Sequence, residues 1–343
     1  MGKKKNVTFD DIARFTKFSK TTISRFFNDP DSLTLENQEI ISNALEELDY
    51  KENKVAKILA NGKTEFIGIV IPNLFNDYYS EMLNQILLTY ETFGYKFLVF
   101  VGDEQEEIER RYIKELLAYK IEGLIILSYT IPSLELAQLQ LPIVTIERED
   151  EHVCSVNTDN YLGAVQATSL LAEQGCDILI HTNSPVRSNL PAYGRIRGFL
   201  DTCQEKNLQH RILYKPFEST YALTQKYLQE ILDELEADYK GLKKGLFVSN
   251  DTHANVLLNL LVRKYGTLPD DYLIVGFDNS PIATQAVIPI STVGQQIDKI
   301  AHETVSLLVE LMNERKKRRP APLKEPIHRV VPPVLIRRET TGE

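Results

Sequence analysis

Polar side chains stand directly after several apolar runs of this sequence, where they could bind a small polar molecule. Glu147 follows PIVTI, Asn250 follows GLFVS, and Asp278 follows IVGF. In open sheets of parallel strands, ligands bind beyond the carboxyl ends of the strands. Carboxylates and amides bond to hydroxyl groups, and an aromatic face packs on the apolar side of a sugar ring, so the pattern favours a polyol. Aromatic candidates at similar positions are Tyr78, Tyr79 and Phe217.

A polar residue at the end of a strand can instead cap the helix that follows it. We expect this simpler role for Asp251, and for Asp159 in the segment SVNTDN. Asp278 is expected to contact the ligand. Both interpretations stay open for Glu147, Tyr78 and Phe217.

A second group of candidate residues lies in segment 8–28, TFDDIARFTKFSKTTISRFFN. Thr8 and Asp11 are spaced as the N-cap and first-turn acid of one helix, and Ser19 can cap a second helix. Two short helices joined by three or four residues cross steeply, which predicts a helix-turn-helix. Lys20 and Thr21 at the tip of the second helix are predicted to contact bases in a major groove. Further predicted DNA contacts are Thr22, Ser24, Arg25, Asn28 and Thr34.

A third helix is predicted to follow the cap Thr34 and to run to about Glu47. Its expected inner face comprises Ile40, Ile41, Leu45 and Leu48. The three helices would form a small headpiece with a thin core. An ordinary helical hairpin with a polar face is the alternative to DNA binding, because short motif matches have many false positives.

Residues 53–62, NKVAKILANG, link this headpiece to the rest of the chain. The segment is too short to hold a helix alone in water, and Asn61-Gly62 ends it. It is either a plain linker or a helix that forms only with DNA and a second subunit. In the second case Leu59 would insert into the minor groove, and the small Ala56 on the same face would allow close approach.

From Phe66 onward, apolar strands alternate with amphipathic helices, which predicts parallel sheets with right-handed crossovers. The alternation restarts near Asn160, so we predict an α/β core of two doubly wound lobes. The expected division of the chain is a headpiece at 1–52, a linker at 53–62 and a core at 63–343. Within the core, lobe one takes approximately 63–160 and 292–322, and lobe two takes approximately 161–291 and 323–338.

Composition narrows the function classes. The formal net charge is −9, yet residues 1–25 contain seven basic and two acidic residues, so a basic tip could still attract phosphates locally. No apolar run approaches the ~20 residues of a membrane span and no signal peptide is evident, so we expect a cytoplasmic protein without membrane contact. The three cysteines and six histidines lack metal-site spacing. We therefore expect no metal, no cofactor and no enzyme activity.

The order of these parts resembles the LacI/GalR family of bacterial transcription regulators over the whole length. The segments that carry the resemblance are VTFDDIARFTKFSKTTISRFFN, NKVAKILANG, FIGIVIPN, SVNTDN, YGRIRGF, FVSNDTHA, IVGFDNSPIA and ISTVGQQ. It implies a core similar to periplasmic sugar-binding proteins, with Arg195 of YGRIRGF as the effector-binding arginine. One departure is Lys17, where the family commonly has glycine; a left-handed non-glycine residue there would cost about 1 kcal/mol.

The resemblance implies a homodimeric repressor of a carbohydrate-utilisation operon. Two headpieces would bind a near-palindromic double-stranded operator, and a sugar or sugar phosphate would release it. One alternative is a regulator of the same fold that needs a co-repressor or a partner protein to bind DNA. Another is a plain solute-binding protein, against which the headpiece and the missing signal peptide argue.

Overall fold

The computed structural model describes residues 7–51, 63–103, 105–186, 188, 190–216, 220–319 and 325–342. The chain divides into two compact units, Met1–Lys63 and Thr64–Glu343. Phe217 and the predicted linker 53–62, with Ala56 and Leu59, lie outside the described residues.

Three helices form the first unit: α1 (Phe9–Thr16), α2 (Lys20–Asn28) and α3 (Leu35–Glu47). The predicted caps are confirmed. The Thr8 amide donates to the Asp11 carboxylate at 2.9 Å, and the hydroxyls of Ser19 and Thr34 accept from amides of the first turns of α2 and α3. These bonds satisfy backbone donors that lack partners within the helix.

A thin apolar core holds the three helices together, with Ile12, Ile23 and Ile41 fully buried. Phe9 stacks on Phe27 at a centroid distance of 5.2 Å beside this core. The expected burial of Ile40 is wrong, since its side chain is 40% exposed. Adjacent helical residues point about 100° apart, so Ile41 can face the core only if Ile40 turns away.

The second unit begins with strands and helices of one lobe. Its elements are β1 (Phe66–Ile71), α4 (Asp77–Leu88), α5 (Tyr90–Phe93), β2 (Lys96–Val101), α6 (Glu106–Ala118), β3 (Gly123–Ile126), α7 (Ser133–Ala137), β4 (Ile143–Ile146) and β5 (Cys154–Thr158). The second lobe follows as α8 (Asn160–Glu173), β6 (Ile178–Asn183), α9 (Tyr193–Glu205), β7 (His210–Tyr214), α10 (Tyr221–Asp238), β8 (Lys244–Val248), α11 (Asp251–Tyr265), β9 (Tyr272–Asp278), α12 (Pro281–Gln285) and β10 (Ser291–Gly294). The described part of the chain ends with α13 (Ile297–Arg315), β11 (His328–Val331), β12 (Val334–Ile336) and a short 3₁₀ turn.

Two six-stranded sheets confirm the predicted pair of doubly wound lobes. The first sheet has the order β11-β5-β4-β3-β1-β2, and the second has β12-β10-β9-β8-β6-β7. All neighbours are parallel except β10 and β12. Parallel strands align their carboxyl ends, so each lobe presents one edge of polar loops.

The last segments of the chain are shared between the lobes differently from the expected division. β10, expected in lobe one, extends the second sheet beside β9, whereas β11, expected in lobe two, pairs with β5 in the first sheet. Helix α13 packs on the first sheet, as expected. Strands of four residues have no pattern that selects one sheet over another, so tertiary pairing decides. The chain consequently passes between the lobes three times.

Candidate functional site

A cavity of about 1260 Å³ lies between the two lobes. The structure brings together in it all six predicted ligand residues that it describes: Tyr78, Tyr79, Glu147, Arg195, Asn250 and Asp278. The first three come from the first lobe and the others from the second. The cavity therefore collects the strand ends that the parallel-sheet rule predicts, and their contact with a ligand stays a prediction.

Helix α9 places Arg195 in the lining of this cavity. Arg195, Asp278 and Glu147 together are called the floor of the cavity below. Gly198, one turn further along, allows α9 to lie close to α8, because a Cβ there would be 2.4 Å from the carbonyl oxygen of Tyr161. Arg195 Nε donates to Asn160 Oδ1 at 2.7 Å, and Nη1 donates to the Ser249 carbonyl at 2.7 Å. The guanidinium carbon stands 3.7 Å from the centroid of the Phe277 ring. Hydrogen bonds and a cation–π contact thus fix the arginine before any ligand arrives.

Asp278 ends β9 and turns its carboxylate toward Arg195, with Nη2 and Oδ1 3.9 Å apart. Its backbone φ is 108°, a left-handed conformation that non-glycine residues rarely adopt. Such strain at a cavity is typical of functional positions. Burial raises the pKa of Asp278 to about 7, although the positive charge of Arg195 opposes the shift.

Glu147 stands after β4 on the opposite side of the floor, also with positive φ, at 57°. Its Oε1 accepts from the Thr158 amide at 2.7 Å, and its Oε2 accepts from Asn160 Nδ2 at 2.7 Å. Burial raises the pKa of Glu147, while Arg195 and these two donors lower it in part. The carboxylate is therefore an oriented acceptor with a substantial desolvation cost.

Two further residues join these side chains into a closed ring. Thr158 Oγ1 donates to Gln295 Oε1 at 2.6 Å, and the Gln295 amide donates to Asp278. The ring comprises Glu147, Thr158, Gln295, Asp278, Arg195 and Asn160. It sits where the chain passes from β5 to α8 and from β10 to α13, so it connects the floor of the cavity to two interlobe crossings.

Sequence reasoning assigned no role to Asn160, Thr158 or Gln295. The segment SVNTDN contributed only the cap Asp159 and the resemblance, and ISTVGQQ contributed only to the resemblance. Each polar residue does follow or end a strand, which is the signal that pointed to Glu147 and Asp278. The missing information was that β5, which ends at Thr158, and β10, which precedes Gln295, both lead into crossings between the lobes.

Tyrosines form the wall of the cavity on the first lobe. Tyr78 and Tyr79 have ring centroids 5.4 Å apart, and Tyr129 lines the same cavity. The Tyr78 hydroxyl is buried and has no hydrogen-bond partner among the described residues. Burial and the nearby carboxylate of Glu147 raise its pKa well above the usual tyrosine value. A neutral phenol without a partner is available to a ligand hydroxyl.

The predicted cap of α11 is wrong by one residue. Asn250, not Asp251, is the N-cap, since its Oδ1 accepts from the His253 amide at 2.8 Å. Asp251 is fully buried and accepts from the Ser280 amide at 2.9 Å and from Thr292 Oγ1 at 2.6 Å. Asp251 therefore holds the ends of β9 and β10 together. By contrast, the predicted cap Asp159 is confirmed, since it accepts from the Leu162 amide at 2.9 Å.

The predicted DNA-contact residues of the headpiece occupy its polar surface. Thr22 and Ser24 are half-buried, whereas Lys20, Thr21, Arg25, Asn28 and Thr34 are exposed. Lys20 pairs with Asp10 at 2.5 Å, and Asn28 donates to Ser24 Oγ at 3.1 Å. Thr22 shares a hydrogen bond with Ser19, and Thr34 caps α3. These partners are local, and DNA contact by the seven residues stays a prediction.

Neither a metal site nor a membrane span emerges from the part of the chain that the structure describes. Within those residues, no group of three or more His, Cys, Asp or Glu side chains could hold a metal ion. None of the described helices is both long and apolar enough to cross a bilayer.

Comparisons with known proteins agree with this two-lobe arrangement. A family model described as periplasmic binding proteins and sugar binding domain of the LacI family matches residues 64–231, and one for a periplasmic binding protein-like domain matches 168–341. A ribose operon repressor of Halalkalibacterium halodurans is 29% identical over 335 residues, covering 97% of each chain. A sucrose operon repressor of Pediococcus pentosaceus is 26% identical over 306 residues, covering 89% of this chain and 92% of the relative.

A solved structure of the lac repressor dimer bound to operator and the anti-inducer ONPF has a similar fold. The TM-score is 0.79 with 20% identity, and the match covers 98% of this chain and 99% of that chain. The likeness therefore extends through both compact units.

Proposed function

The chain belongs to the LacI family of transcription regulators, and we propose that it represses a carbohydrate-utilisation operon and is released from its operator by a sugar or a sugar phosphate. The observation that carries the proposal is the presence of two binding surfaces in one chain. A helix-turn-helix with an exposed polar face occupies the first unit, and a polar cavity with a pre-oriented arginine occupies the second. The names of two relatives, a ribose operon repressor and a sucrose operon repressor, support the carbohydrate class.

On the DNA side, α2 would enter the major groove of each half-site. A two-fold homodimer would bring two headpieces to a near-palindromic operator, because a two-fold protein imposes its symmetry on the DNA. Lys20 and Thr21 at the start of α2 are the proposed base contacts.

On the effector side, a sugar would accept hydrogen bonds from Arg195 and donate to the carboxylates of Glu147 and Asp278. Both carboxylates belong to the ring that includes the interlobe crossings. A ligand that bonds to the ring stabilises one arrangement of the lobes over another. Operator release then follows from linkage, since an effector acts only through its differential affinity for two states.

Operator binding by the full chain tests this function. A selection from random duplex DNA should yield a near-palindromic site, and fluorescence anisotropy on that site should show weaker binding when the right sugar is added. Recovery of no preferred sequence would contradict the proposal. Tighter binding on adding sugar would assign the chain to the co-repressor class instead.

A further inference from the structure

The charges that line the cavity narrow the class of its ligand. Among the described lining residues there are two guanidinium groups, on Arg148 and Arg195, and no lysine. They stand against six carboxylates: Glu106, Glu147, Glu149, Asp150, Glu151 and Asp278. The lining is therefore acidic, and an added anion would be repelled.

Both guanidinium groups already have protein partners. Arg148 donates to the Ile131 carbonyl at 2.6 Å and to Ser133 Oγ from Nε at 3.0 Å, and it lies 3.7 Å from the Asp150 carboxylate. Arg195 donates to Asn160 and Ser249 and faces Asp278. All three guanidinium nitrogens of Arg148 donate to protein acceptors, whereas in Arg195 Nε and Nη1 donate and Nη2 remains for a ligand. Neither side chain therefore presents an entirely free donor fork, which is the usual means by which arginine holds a phosphate.

At the helix N-termini beside the cavity, which are the second common source of phosphate donors, several of the first-turn amides already have protein acceptors. At the start of α4 the Tyr78 amide donates to Asn76 Oδ1 at 3.1 Å, and at the start of α11 the His253 amide donates to Asn250 Oδ1. At the start of α9 the amides of Tyr193, Gly194 and Arg195 donate to carbonyls of the preceding turn. Helix α6 begins with Glu106 and has two further glutamates in its first turn, which would repel a phosphate.

The polar groups that remain suit hydroxyl groups instead. The carboxyl oxygens of Glu147 and Asp278 can accept hydrogen bonds, so they match the hydroxyl hydrogens of a sugar, which a phosphate dianion lacks. The Tyr78 hydroxyl is buried without a partner among the described residues. Burial already raises the pKa of both floor carboxylates, so a further negative charge beside them would be strongly unfavourable.

We infer that the cavity binds an uncharged sugar and discriminates against the phosphorylated form of the same sugar. This inference rests on the proposed function, because it concerns the ligand of the same cavity.

Matched pairs of ligands test the inference on the full chain. Ribose and ribose 5-phosphate, fructose and fructose 6-phosphate, and glucose and glucose 6-phosphate would be screened by thermal shift and then titrated by calorimetry. We expect at least one uncharged sugar to bind, with an affinity about tenfold or more above that of its phosphate. A phosphorylated sugar that binds as tightly as its partner, or tighter, overturns the inference and leaves the repressor function intact. Binding of no sugar in either form overturns both.

A charge-neutral variant tests the electrostatic cause. In Glu149→Gln/Glu151→Gln, the affinity for the uncharged sugar should exceed that for its phosphate by a smaller factor than in the wild type. The reason is that two carboxylates of the cavity lose their charge. The control Glu173→Gln/Glu205→Gln removes the same charge from equally exposed positions on α8 and α9 that do not line the cavity, and it should leave the ratio unchanged. Higher ionic strength should also reduce the ratio of these two affinities in the wild type, because salt screens the repulsion between the carboxylates and the phosphate. Equal ratios in all three proteins would contradict a discrimination based on the lining charges.

Discussion

The outer face of α2 and the floor of the interlobe cavity use similar polar residues under opposite constraints. On α2, Lys20 and Arg25 are exposed, and Lys20 pairs with the nearby exposed acid Asp10. On the floor, Arg195 and Asp278 are 12% and 4% exposed, and their partners come from distant parts of the chain. An exposed side chain on α2 can therefore be removed with little effect on folding, whereas removal of Arg195 or Asp278 leaves buried partners without their contacts.

Two arginine substitutions, one in each region, test this contrast, and the substitution in the cavity is expected to have the largest effect. Arg195→Ala would leave Asn160, Ser249 and Asp278 without their buried partner, so we expect about 3–5 kcal/mol loss in the free energy of unfolding of the second unit. The matched change Arg25→Ala on α2 should stay within about 0.5 kcal/mol, because the side chain is exposed. Urea unfolding followed by hydrogen exchange, which reports on each unit separately, measures both. Similar losses for the two variants would remove the distinction between floor and surface.

The pH dependence of stability sharpens the same comparison. Burial raises the pKa of Asp278 to about 7, so between the ordinary aspartate pKa and pH 7 the native state holds a proton that the unfolded state has lost. Stability of the second unit should therefore fall as pH rises through this window, by up to about 1.4 kcal/mol for each pH unit.

Asp278→Asn is the matched control, since it keeps the shape and removes the titration. Unfolding free energies at pH 5, 6 and 7 should converge between wild type and variant toward low pH and diverge toward pH 7, with the variant more stable. Parallel curves would show that Asp278 stays ionised throughout.

A smaller effect is expected from substitutions on the exposed face of α2, where the predicted base contacts lie. Replacing Lys20 and Thr21 should change the preferred operator sequence, with about 1–3 kcal/mol at stake for each base contact. Thr22 and Ser24 are expected to contact the DNA backbone and not the bases, so their substitution should weaken binding to all sequences alike. Sequence selection with the double variant measures the shift. An unchanged preferred site would remove Lys20 and Thr21 from the set of base contacts.

The two regions also differ in how far the sequence predicts them. Caps such as Ser19 and Thr34 depend on residues three positions away, so local rules found them. The positions of Glu147 and Asp278 follow from the geometry of parallel sheets, because each residue lies at the carboxyl-end edge of its own sheet. Gln295 and Thr158 were missed because their bond joins residues 137 positions apart. Such a contact depends on which strands cross between the lobes, and a single sequence has no pattern for that.

A one-residue error at α11 has a similar cause. Asn250 and Asp251 both favour the start of a helix. Asp251 can turn inward only because Gly276 on β9 leaves room, since a Cβ there would be 2.2 Å from Asp251 Oδ1. The choice between two adjacent caps therefore depends on a glycine 25 positions away, and local propensity cannot make it.

The smallest expected effect lies in the turn between α1 and α2. Lys17 has φ 61°, so a side chain with a Cβ stands in a left-handed conformation that glycine adopts without cost. Lys17→Gly should therefore stabilise the first unit by about 0.5–1 kcal/mol, partly offset by the greater freedom of glycine in the unfolded chain. Lys17→Ala removes the charge but keeps the Cβ, so it should bring no gain. Hydrogen exchange of α1 and α2 amides measures both variants, and sugar affinity should not change in either. Equal stabilisation by Ala and Gly would show that the lysine charge, and not the backbone conformation, is the source of the strain.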